Sequence, residues 1–268
     1  MNIVTRREFI RLTVGAACIC LAGCSSNSNE NAGTSTPGYD AETLMDSFNG
    51  WLTVSGSAVV DLLGADKGAA TLDAIRINFE DIIPQIPWIG GDRNPNTYNL
   101  LGSAYSMALI KPLETQGVSA RNIGHTIHLM AKVSFQADNV KLQQQGAQML
   151  TPQTIAYMKQ GAQWSQKRVY PADFVFDFVE PQNGYVYGIN MTECAIQKFY
   201  RQQNLDKYVR YNCLVDYPLY QTMNVHLDRS QTIGNGAANC DFRYLPTGST
   251  PDGWPAEDRP EFKGDPTD

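Results

Sequence analysis

The apolar residues of the first half of the chain recur at intervals of three and four, from residue 40 to about residue 167. This spacing places apolar side chains on one face of a helix, so it predicts a helical half. Helix-stop signals fall at Gly64, at residues 84–87, at Gly117 and at Gly146. Because glycine and proline interrupt helices, these signals predict about four to six helices.

A shorter period begins after Asp173, where Phe174, Phe176 and Phe178 alternate with the residues between them. The turn residues 181–184 (PQNG) separate this segment from a second one, residues 185–191 (YVYGINM). Alternation with a period of two predicts strands, and the short turn predicts that the two strands form a β-hairpin.

The pattern after the hairpin predicts two helical stretches and a closing strand. Thr192 is a suitable N-cap for a helix that runs through Tyr200, and residues 205–225 have a second helical pattern. Residues 240–245 (CDFRYL) have the pattern of a strand. Helices first, then a small antiparallel sheet with interleaved helices, indicate an α+β fold in a single domain over residues 39–245.

The N-terminal residues have the pattern of an export signal. Arg6 and Arg7 precede an uncharged apolar run at residues 12–23, which is shorter than the roughly 20 residues that a membrane-spanning helix needs. The run ends in Leu-Ala-Gly-Cys, which resembles a bacterial lipobox and predicts removal of residues 1–23 and lipidation of Cys24. The paired arginine resembles a twin-arginine signal, so we expect the twin-arginine export machinery as a partner. The expected location is a bacterial membrane surface, facing the periplasm or the cell exterior.

The remaining end segments are polar. Residues 24–38 are small and polar and predict a flexible tether. Residues 246–268 contain five prolines with several acids and glycines and few apolar residues, so they predict a disordered or loosely draped tail.

The charge of the chain argues against one class of partner. The formal net charge of the 268 residues is −6 and the sequence pI is about 5.1. Proteins that bind nucleic acid through its phosphates need clustered Lys and Arg. We therefore expect no nucleic acid and a small-molecule substrate instead.

Three cysteines follow Cys24 in the chain, and each stands near an acidic residue. One interpretation is structural, with one disulfide and one buried free thiol, because thiols oxidise outside the cytoplasm. The other is a site in which thiols and carboxylates act together. The pairs are Glu193 with Cys194, Cys213 with Asp216, and Cys240 with Asp241.

Each pair has both a structural and a chemical interpretation. Cys194 falls in the first turn of the predicted helix, where the macrodipole lowers a thiol pKa, although Glu193 opposes this effect. Asp216 precedes Tyr217-Pro218, which is equally typical of a helix N-cap. The small-residue loop 234–239 can present backbone N–H groups to a carboxylate, or it can be an ordinary turn.

Metal binding is the competing use of these residues. No Cys-x-x-Cys motif is present, so the spacing favours zinc only weakly. The sequence requires no cofactor, but a metal bound through Cys194, Cys213 and Cys240 is an open alternative. His125 and His128 lie three residues apart on one predicted helix face and can share a metal, although such pairs are more often structural.

Three segments carry a family resemblance. Residues 176–200 (FDFVEPQNGYVYGINMTECAIQKFY), 213–220 (CLVDYPLY) and 229–244 (RSQTIGNGAANCDFRY) resemble the L-2-amino-thiazoline-4-carboxylic acid hydrolase family. Residues 103–127 also resemble the helix pair that precedes these segments in that family. The resemblance covers residues 98 to 245.

The resemblance implies hydrolytic opening of a cyclic amidine, a thiazoline ring with a carboxylate, toward a carbamoyl-cysteine. Such a hydrolase is expected to act on non-peptide carbon–nitrogen bonds. It needs a nucleophile for the ring carbon, an acid for the leaving atom and a cation or N–H cluster for the carboxylate. The implied catalytic residues are Cys194, Glu193, Asp216 and Cys240, and the implied substrate-binding residues are Asp241, Arg243, Tyr217 and Gly236.

A second family resemblance is more distant. The hairpin, the helices and the Cys-Asp-Phe ending also look like small-molecule-binding domains of the vinyl-reductase type. This alternative predicts a lipid-anchored binding or sensor domain without hydrolytic activity.

Overall fold

The computed structural model describes residues 38–266. The predicted export signal, the lipidation site at Cys24 and the tether up to residue 37 lie outside the described residues. Within residues 38–266, none of the helices has both the length and the apolar composition needed to cross a membrane.

The first half of the structure is helical, as predicted. The helices have identifiable starts: Asp40, Ser119 and Thr151 each accept a hydrogen bond from a backbone N–H of the first turn. In chain order they are α1 (Ala41–Ser55), α2 (Ser57–Leu63), α3 (Ala65–Ile82), α4 (Thr97–Thr115), α5 (Ala120–Ala137), α6 (Asn139–Met149) and α7 (Pro152–Ser165).

The number of helices exceeds the expected four to six. Breaks at Gly56 and Asp138 divide segments that the sequence pattern presents as continuous. The predicted stop at Gly146 is wrong, because this residue lies inside α6. A Cβ at Gly146 would stand 1.9 Å from the carbonyl oxygen of Met223, so glycine serves close packing here and does not end the helix.

The second half contains the sheet. The predicted hairpin is confirmed: β1 (Val175–Val179) pairs antiparallel with β2 (Tyr187–Glu193). The turn between them holds Asn183 at φ 51° and Gly184 at φ 91°, conformations that favour these two residue types. The closing strand β4 (Cys240–Leu245) is also confirmed and pairs with β2.

One strand was not predicted. Strand β3 (His226–Asp228) pairs antiparallel with β4 at the sheet edge, so the strand order is β1-β2-β4-β3. With three residues it is too short to show an alternating pattern. The single-domain α+β fold, with helices first and a small antiparallel sheet after them, agrees with the sequence analysis.

The short helices between the strands differ from expectation at their boundaries. Thr192 does not cap a helix, because it belongs to β2 and its hydroxyl donates to the carbonyl of Val175. The following helix α8 (Ala195–Gln202) begins after Cys194. The helical stretch predicted for residues 205–225 is divided into 3₁₀ turns, α9 (Val209–Asn212) and α10 (Asp216–Thr222).

The C-terminal segment, residues 246–266, packs on the domain. The prediction of a disordered or loosely draped tail is wrong for these residues, since Glu261 and Ala256 are fully buried and Thr250 is 2% exposed. The Thr250 hydroxyl accepts from the N–H of Leu227 in β3. Polar contacts hold the segment on the domain, and Ala256, Phe262 and Trp254 add apolar packing in and against the core.

Candidate active site

A cavity of about 610 Å³ lies between the helical half and the sheet. Its walls come from α1, the helices α4 to α10 and one face of β1, β2 and β4. Most wall residues are apolar, including Phe135, Met149, Met158 and Phe176. The cavity reaches solvent at exposed polar residues such as Arg93 and Lys167. Both its size and its composition are typical of small-molecule sites.

The three cysteines after Cys24 meet at one end of this cavity. Cys194 lies at the junction of β2 and α8, Cys213 starts the 3₁₀ turn before α10, and Cys240 opens β4 opposite Met191. All three line the cavity together with Asp216 and Arg229. We call these five residues, Cys194, Cys213, Asp216, Arg229 and Cys240, the polar end.

The thiols of the polar end are reduced and protonated. No disulfide joins them in the described part of the chain, so the alternative of one disulfide does not hold there. Burial, together with the neighbouring thiols, raises the pKa of Cys194, Cys213 and Cys240 to about 12 each.

The predicted lowering of the Cys194 pKa is therefore wrong. The backbone N–H groups of Ile196 and Gln197, at the start of α8, do lower this pKa. Desolvation is the larger effect, because Cys194 packs against the buried core. At neutral pH the site therefore presents thiols rather than thiolates.

Asp216 presents a carboxylate to the cavity. Its Oδ2 accepts from Arg229 Nη1 at 2.5 Å, whereas no described residue donates to Oδ1. The side chain is 33% exposed and lines the cavity. Burial raises the pKa of Asp216 and the Arg229 guanidinium lowers it, with a net shift upward. Asp216 is the first residue of α10 and makes no capping bond there, so the alternative of an N-cap is wrong.

Arg229 holds this carboxylate in a fixed position. Its side chain is 1% exposed and lies between the rings of Tyr217 and Phe242, with the guanidinium carbon 5.2 and 5.0 Å from the two ring centroids. Besides Asp216, it donates through Nη2 to the carbonyl of Cys213 at 2.8 Å. These contacts leave the guanidinium little freedom to move.

A second carboxylate, from the C-terminal segment, completes the arrangement. Glu261 Oε1 accepts from Arg229 Nη2 at 2.9 Å and Nε at 3.3 Å, and from the Tyr217 hydroxyl at 2.6 Å. The Glu261 side chain is fully buried. One guanidinium therefore lies between two carboxylates, of which only Asp216 lines the cavity.

Several sequence-predicted site residues lie outside the cavity. Glu193 is adjacent to Cys194, but its carboxylate accepts from Lys198 at 2.6 Å and Arg168 at 3.0 Å near the surface. These contacts lower its pKa. Tyr217 is buried behind the polar end, where its hydroxyl donates to Glu261.

The residues expected to bind the substrate carboxylate are also elsewhere. Asp241 accepts from the N–H groups of Ser230 and Gln231 and so stabilises a turn. Arg243 donates to Asn190 Oδ1 at 2.9 Å and lies over the ring of Tyr185. Neither residue lines the cavity.

Three backbone N–H groups of the loop 234–239 are bonded within the turn that the loop forms. The N–H groups of Asn235, Gly236 and Ala237 donate to the carbonyls of Thr232 and Ile233 within the loop. Gly236 is in the left-handed region at φ 89°, which is the geometry of an ordinary turn. None of residues 234–239 lines the cavity, so the structure gives no support to the interpretation as a carboxylate cradle.

The structure does not support a metal centre in the described region. Among residues 38–266, no group of three or more His, Cys, Asp and Glu side chains is arranged to hold a metal ion. This includes the proposed set Cys194, Cys213 and Cys240. The two histidines are separately engaged, since His125 stacks on Trp254 and His128 Nε2 lies 3.2 Å from Asp252.

Two functional residues were missed by the sequence analysis. Arg229 opens the third resemblance segment and is the one basic residue of the polar end, so its position in the motif was an available signal. Glu261 had no such signal, because it lies in a proline-rich segment and its role depends on contact with a residue 32 positions earlier.

Comparison with known proteins gives one match. A model of the L-2-amino-thiazoline-4-carboxylic acid hydrolase family matches residues 105–244, which are 140 of the 268 residues. Neither a curated protein nor a solved structure matches the chain significantly. The matched region contains the five residues of the polar end, whereas Glu261 lies beyond it.

Proposed function

Because this chain belongs to the L-2-amino-thiazoline-4-carboxylic acid hydrolase family, we propose that it hydrolyses a cyclic amidine of the thiazoline type. The observation that carries the proposal is the Asp216 carboxylate, which lines a largely apolar cavity and has one oxygen, Oδ2, fixed by Arg229. A fixed carboxylate with a raised pKa is suited to accept a proton near neutral pH.

Asp216 acts as the general base in this reaction. It takes a proton from a water molecule as the water oxygen bonds to the ring carbon between nitrogen and sulfur. The tetrahedral intermediate then loses its bond to sulfur, and the sulfur receives a proton from Asp216. The water oxygen ends on the carbon, and its two hydrogens end on the ring nitrogen and the sulfur.

The thiols of the polar end assist without forming a covalent bond. A thiol with a pKa of about 12 is a poor nucleophile at neutral pH, because the thiolate is the reactive form. A neutral S–H group can donate a weak hydrogen bond to the developing negative charge. Cys194 or Cys240 can attack the ring only if Asp216 first removes its proton.

The choice of broken bond is open to direct measurement. Release at sulfur leaves the carbamoyl group on nitrogen and generates one free thiol for each turnover. Release at nitrogen leaves the carbamoyl group on sulfur and generates none. Thiol titration of the filtered reaction mixture therefore distinguishes release at sulfur, the route written above, from the carbon–nitrogen cleavage expected from sequence.

The test of the proposal is turnover of 2-amino-thiazoline-4-carboxylate by Asp216→Asn. We expect kcat to fall by about 100-fold or more, the contribution typical of a general base. Asp138→Asn is the matched control, since Asp138 is another half-buried aspartate with a raised pKa but does not line the cavity. Equal activity of both variants would refute the role of Asp216.

Absence of turnover by the unsubstituted chain, together with binding of the same thiazoline, would favour a binding or sensor domain. An absorption spectrum of the purified chain is part of the same experiment. A coloured, inert protein would support the vinyl-reductase type of domain.

We also propose that the chain is exported and lipid-anchored through Cys24. The support is the order of a paired arginine, an apolar run and Leu-Ala-Gly-Cys. Cys24→Ser is expected to abolish incorporation of a labelled fatty acid and to release the chain from the membrane fraction. Cys18→Ser, which changes a cysteine inside the apolar run, is the matched control. Replacing Arg6 and Arg7 by lysines is expected to block export.

A further inference from the structure

The cavity is larger than an unsubstituted aminothiazoline carboxylate requires. This compound has about nine non-hydrogen atoms, whereas cavities of about 300–1,000 Å³ enclose drug-sized ligands. The cavity of about 610 Å³ falls in the middle of that range. A ring bound at the polar end would leave most of the cavity unfilled.

The unfilled part is largely apolar. Its wall includes Phe135, Met149, Met158, Phe176 and Ile189, contributed by three helices and two strands. Apolar surface gains free energy when an apolar ligand replaces water. The wall therefore favours an apolar group attached to the ring.

The charges of the cavity favour one orientation of such a ligand. At the polar end one cation, Arg229, already contacts the two carboxylates of Asp216 and Glu261. A protonated amidine is attracted to this end, and a substrate carboxylate is repelled from it.

The other cations that line the cavity are Arg93 and Lys167. Both are exposed, and no ion pair joins either of them to an acidic residue in the part of the chain that the structure describes. They are placed to attract an anionic group where the cavity meets solvent.

We infer that the substrate of this chain is an elongated cyclic amidine with an apolar body and an anionic far end. The amidine lies at Asp216, the apolar body contacts the wall at Met158 and Phe176, and the anionic group lies near Arg93 and Lys167. The inference rests on the proposed function for the identity of the reacting ring. The expected binding of such a ligand can be measured whether or not the ring is opened.

The test compares three ligands with the purified full-length chain. The first is 2-amino-thiazoline-4-carboxylate. The second is a 2-aminothiazoline whose exocyclic nitrogen carries an eight-carbon chain that ends in a carboxylate, and the third is the same compound ending in a primary amide. Binding is followed by tryptophan fluorescence, because Trp51 and Trp164 line the cavity, and the dissociation constants are confirmed by calorimetry.

We expect the long carboxylate to bind at least about 100-fold more tightly than the short compound, since each buried methylene contributes about a fourfold gain in affinity. The amide is expected to bind about fivefold more weakly than the long carboxylate. The double variant Arg93→Gln, Lys167→Gln is expected to remove the difference between amide and carboxylate.

A matched pair of methionine variants tests the apolar wall. Met158→Gln is expected to weaken both long ligands several-fold and to leave the short compound unchanged. Met45→Gln is the control, since Met45 is also partly buried against the core but does not line the cavity. A loss of long-ligand affinity in Met45→Gln equal to that in Met158→Gln would count against the inference.

The outcomes separate this inference from the proposed function. Tight binding of the long carboxylate without ring opening supports the ligand class and refutes hydrolysis. Turnover of the short compound with affinity equal to that of the long compounds supports hydrolysis and overturns the ligand class. If the chain hydrolyses the long carboxylate, we expect a lower KM with an unchanged kcat, because the apolar body is bound equally in the ground and transition states.

Discussion

The contact of Glu261 with Arg229 gives a quantitative prediction about the C-terminal segment. Glu261→Ala removes a fully buried carboxylate that accepts from Arg229 at 2.9 and 3.3 Å and from Tyr217 at 2.6 Å. In this variant the buried Tyr217 hydroxyl and the Nε and Nη2 groups of the buried Arg229 lose Glu261 as their hydrogen-bond acceptor. Arg229 keeps its contact with Asp216, so its charge is only partly uncompensated.

The magnitude follows from these contacts. Breaking a buried ion pair by removing one partner costs about 3–5 kcal/mol. Glu261→Ala is therefore expected to lower the free energy of unfolding by about 3–4 kcal/mol, since one carboxylate remains. Glu261→Gln keeps an acceptor oxygen for both donors and is expected to cost about 1–2 kcal/mol, the difference between charged and neutral hydrogen bonds.

The assay is equilibrium unfolding in urea at neutral pH, with circular dichroism and tryptophan fluorescence as independent probes. Glu257→Ala is the matched control, because Glu257 also contacts an arginine, Arg121, from the same C-terminal segment. Glu257 is 55% exposed, so its removal is expected to cost at most about 1 kcal/mol. If Glu261→Ala costs no more than Glu257→Ala, the segment 246–266 does not contribute to the folded domain in the way described.

Three further predictions concern the cavity and its surroundings. Cys194→Ser is expected to lower kcat less than tenfold, whereas a covalent nucleophile would require a loss of at least about 1,000-fold. Glu261→Gln is expected to move the acidic limb of the kcat/KM profile to lower pH, because the Glu261 charge raises the pKa of Asp216. Asp173→Asn and His128→Gln are expected to change the pH dependence of stability in opposite directions. Burial raises the pKa of Asp173 from 3.8 to about 6, so the folded chain retains a proton that the unfolded chain loses and stability falls as pH rises through this window. Burial lowers the pKa of His128 from 6.5 to about 4, so stability rises as pH rises through its window. Urea unfolding between pH 4 and pH 7 is expected to show a change of about 3 kcal/mol for each group.

The sequence predicted what depends on local pattern. The helical half follows from apolar residues at intervals of three and four, and the hairpin follows from alternation on both sides of the Asn183-Gly184 turn. Both patterns show which face of a helix or strand is buried. They can be read without knowing which other element packs against that face. The three cysteines and Asp216, which the sequence analysis selected from the pairing of cysteines with acids and from the family resemblance, line one cavity.

The errors arise where a distant contact decides the role of a residue. Glu193 and Cys194 are adjacent in the chain, but Lys198 and Arg168 hold the Glu193 carboxylate near the surface. Cys194 instead packs against the core and lines the cavity. Asp241 likewise follows Cys240, yet its carboxylate accepts from a turn outside the cavity. Successive side chains of a strand point to opposite faces of the sheet. An acidic residue that follows or precedes a cysteine in the sequence therefore need not have its carboxylate near the thiol in space.

The buried charges of the polar end link the C-terminal segment to the proposed chemistry. A carboxylate with only a cationic neighbour has a lowered pKa and is a weak base. Here burial raises the pKa of Asp216, and the negative charge of Glu261, which also contacts Arg229, raises it as well. The same guanidinium therefore fixes the position of Asp216 without suppressing its proton affinity. Glu261 lies beyond the family match at residues 105–244. The pKa of Asp216, which lies inside the matched region, therefore depends on a residue outside that region.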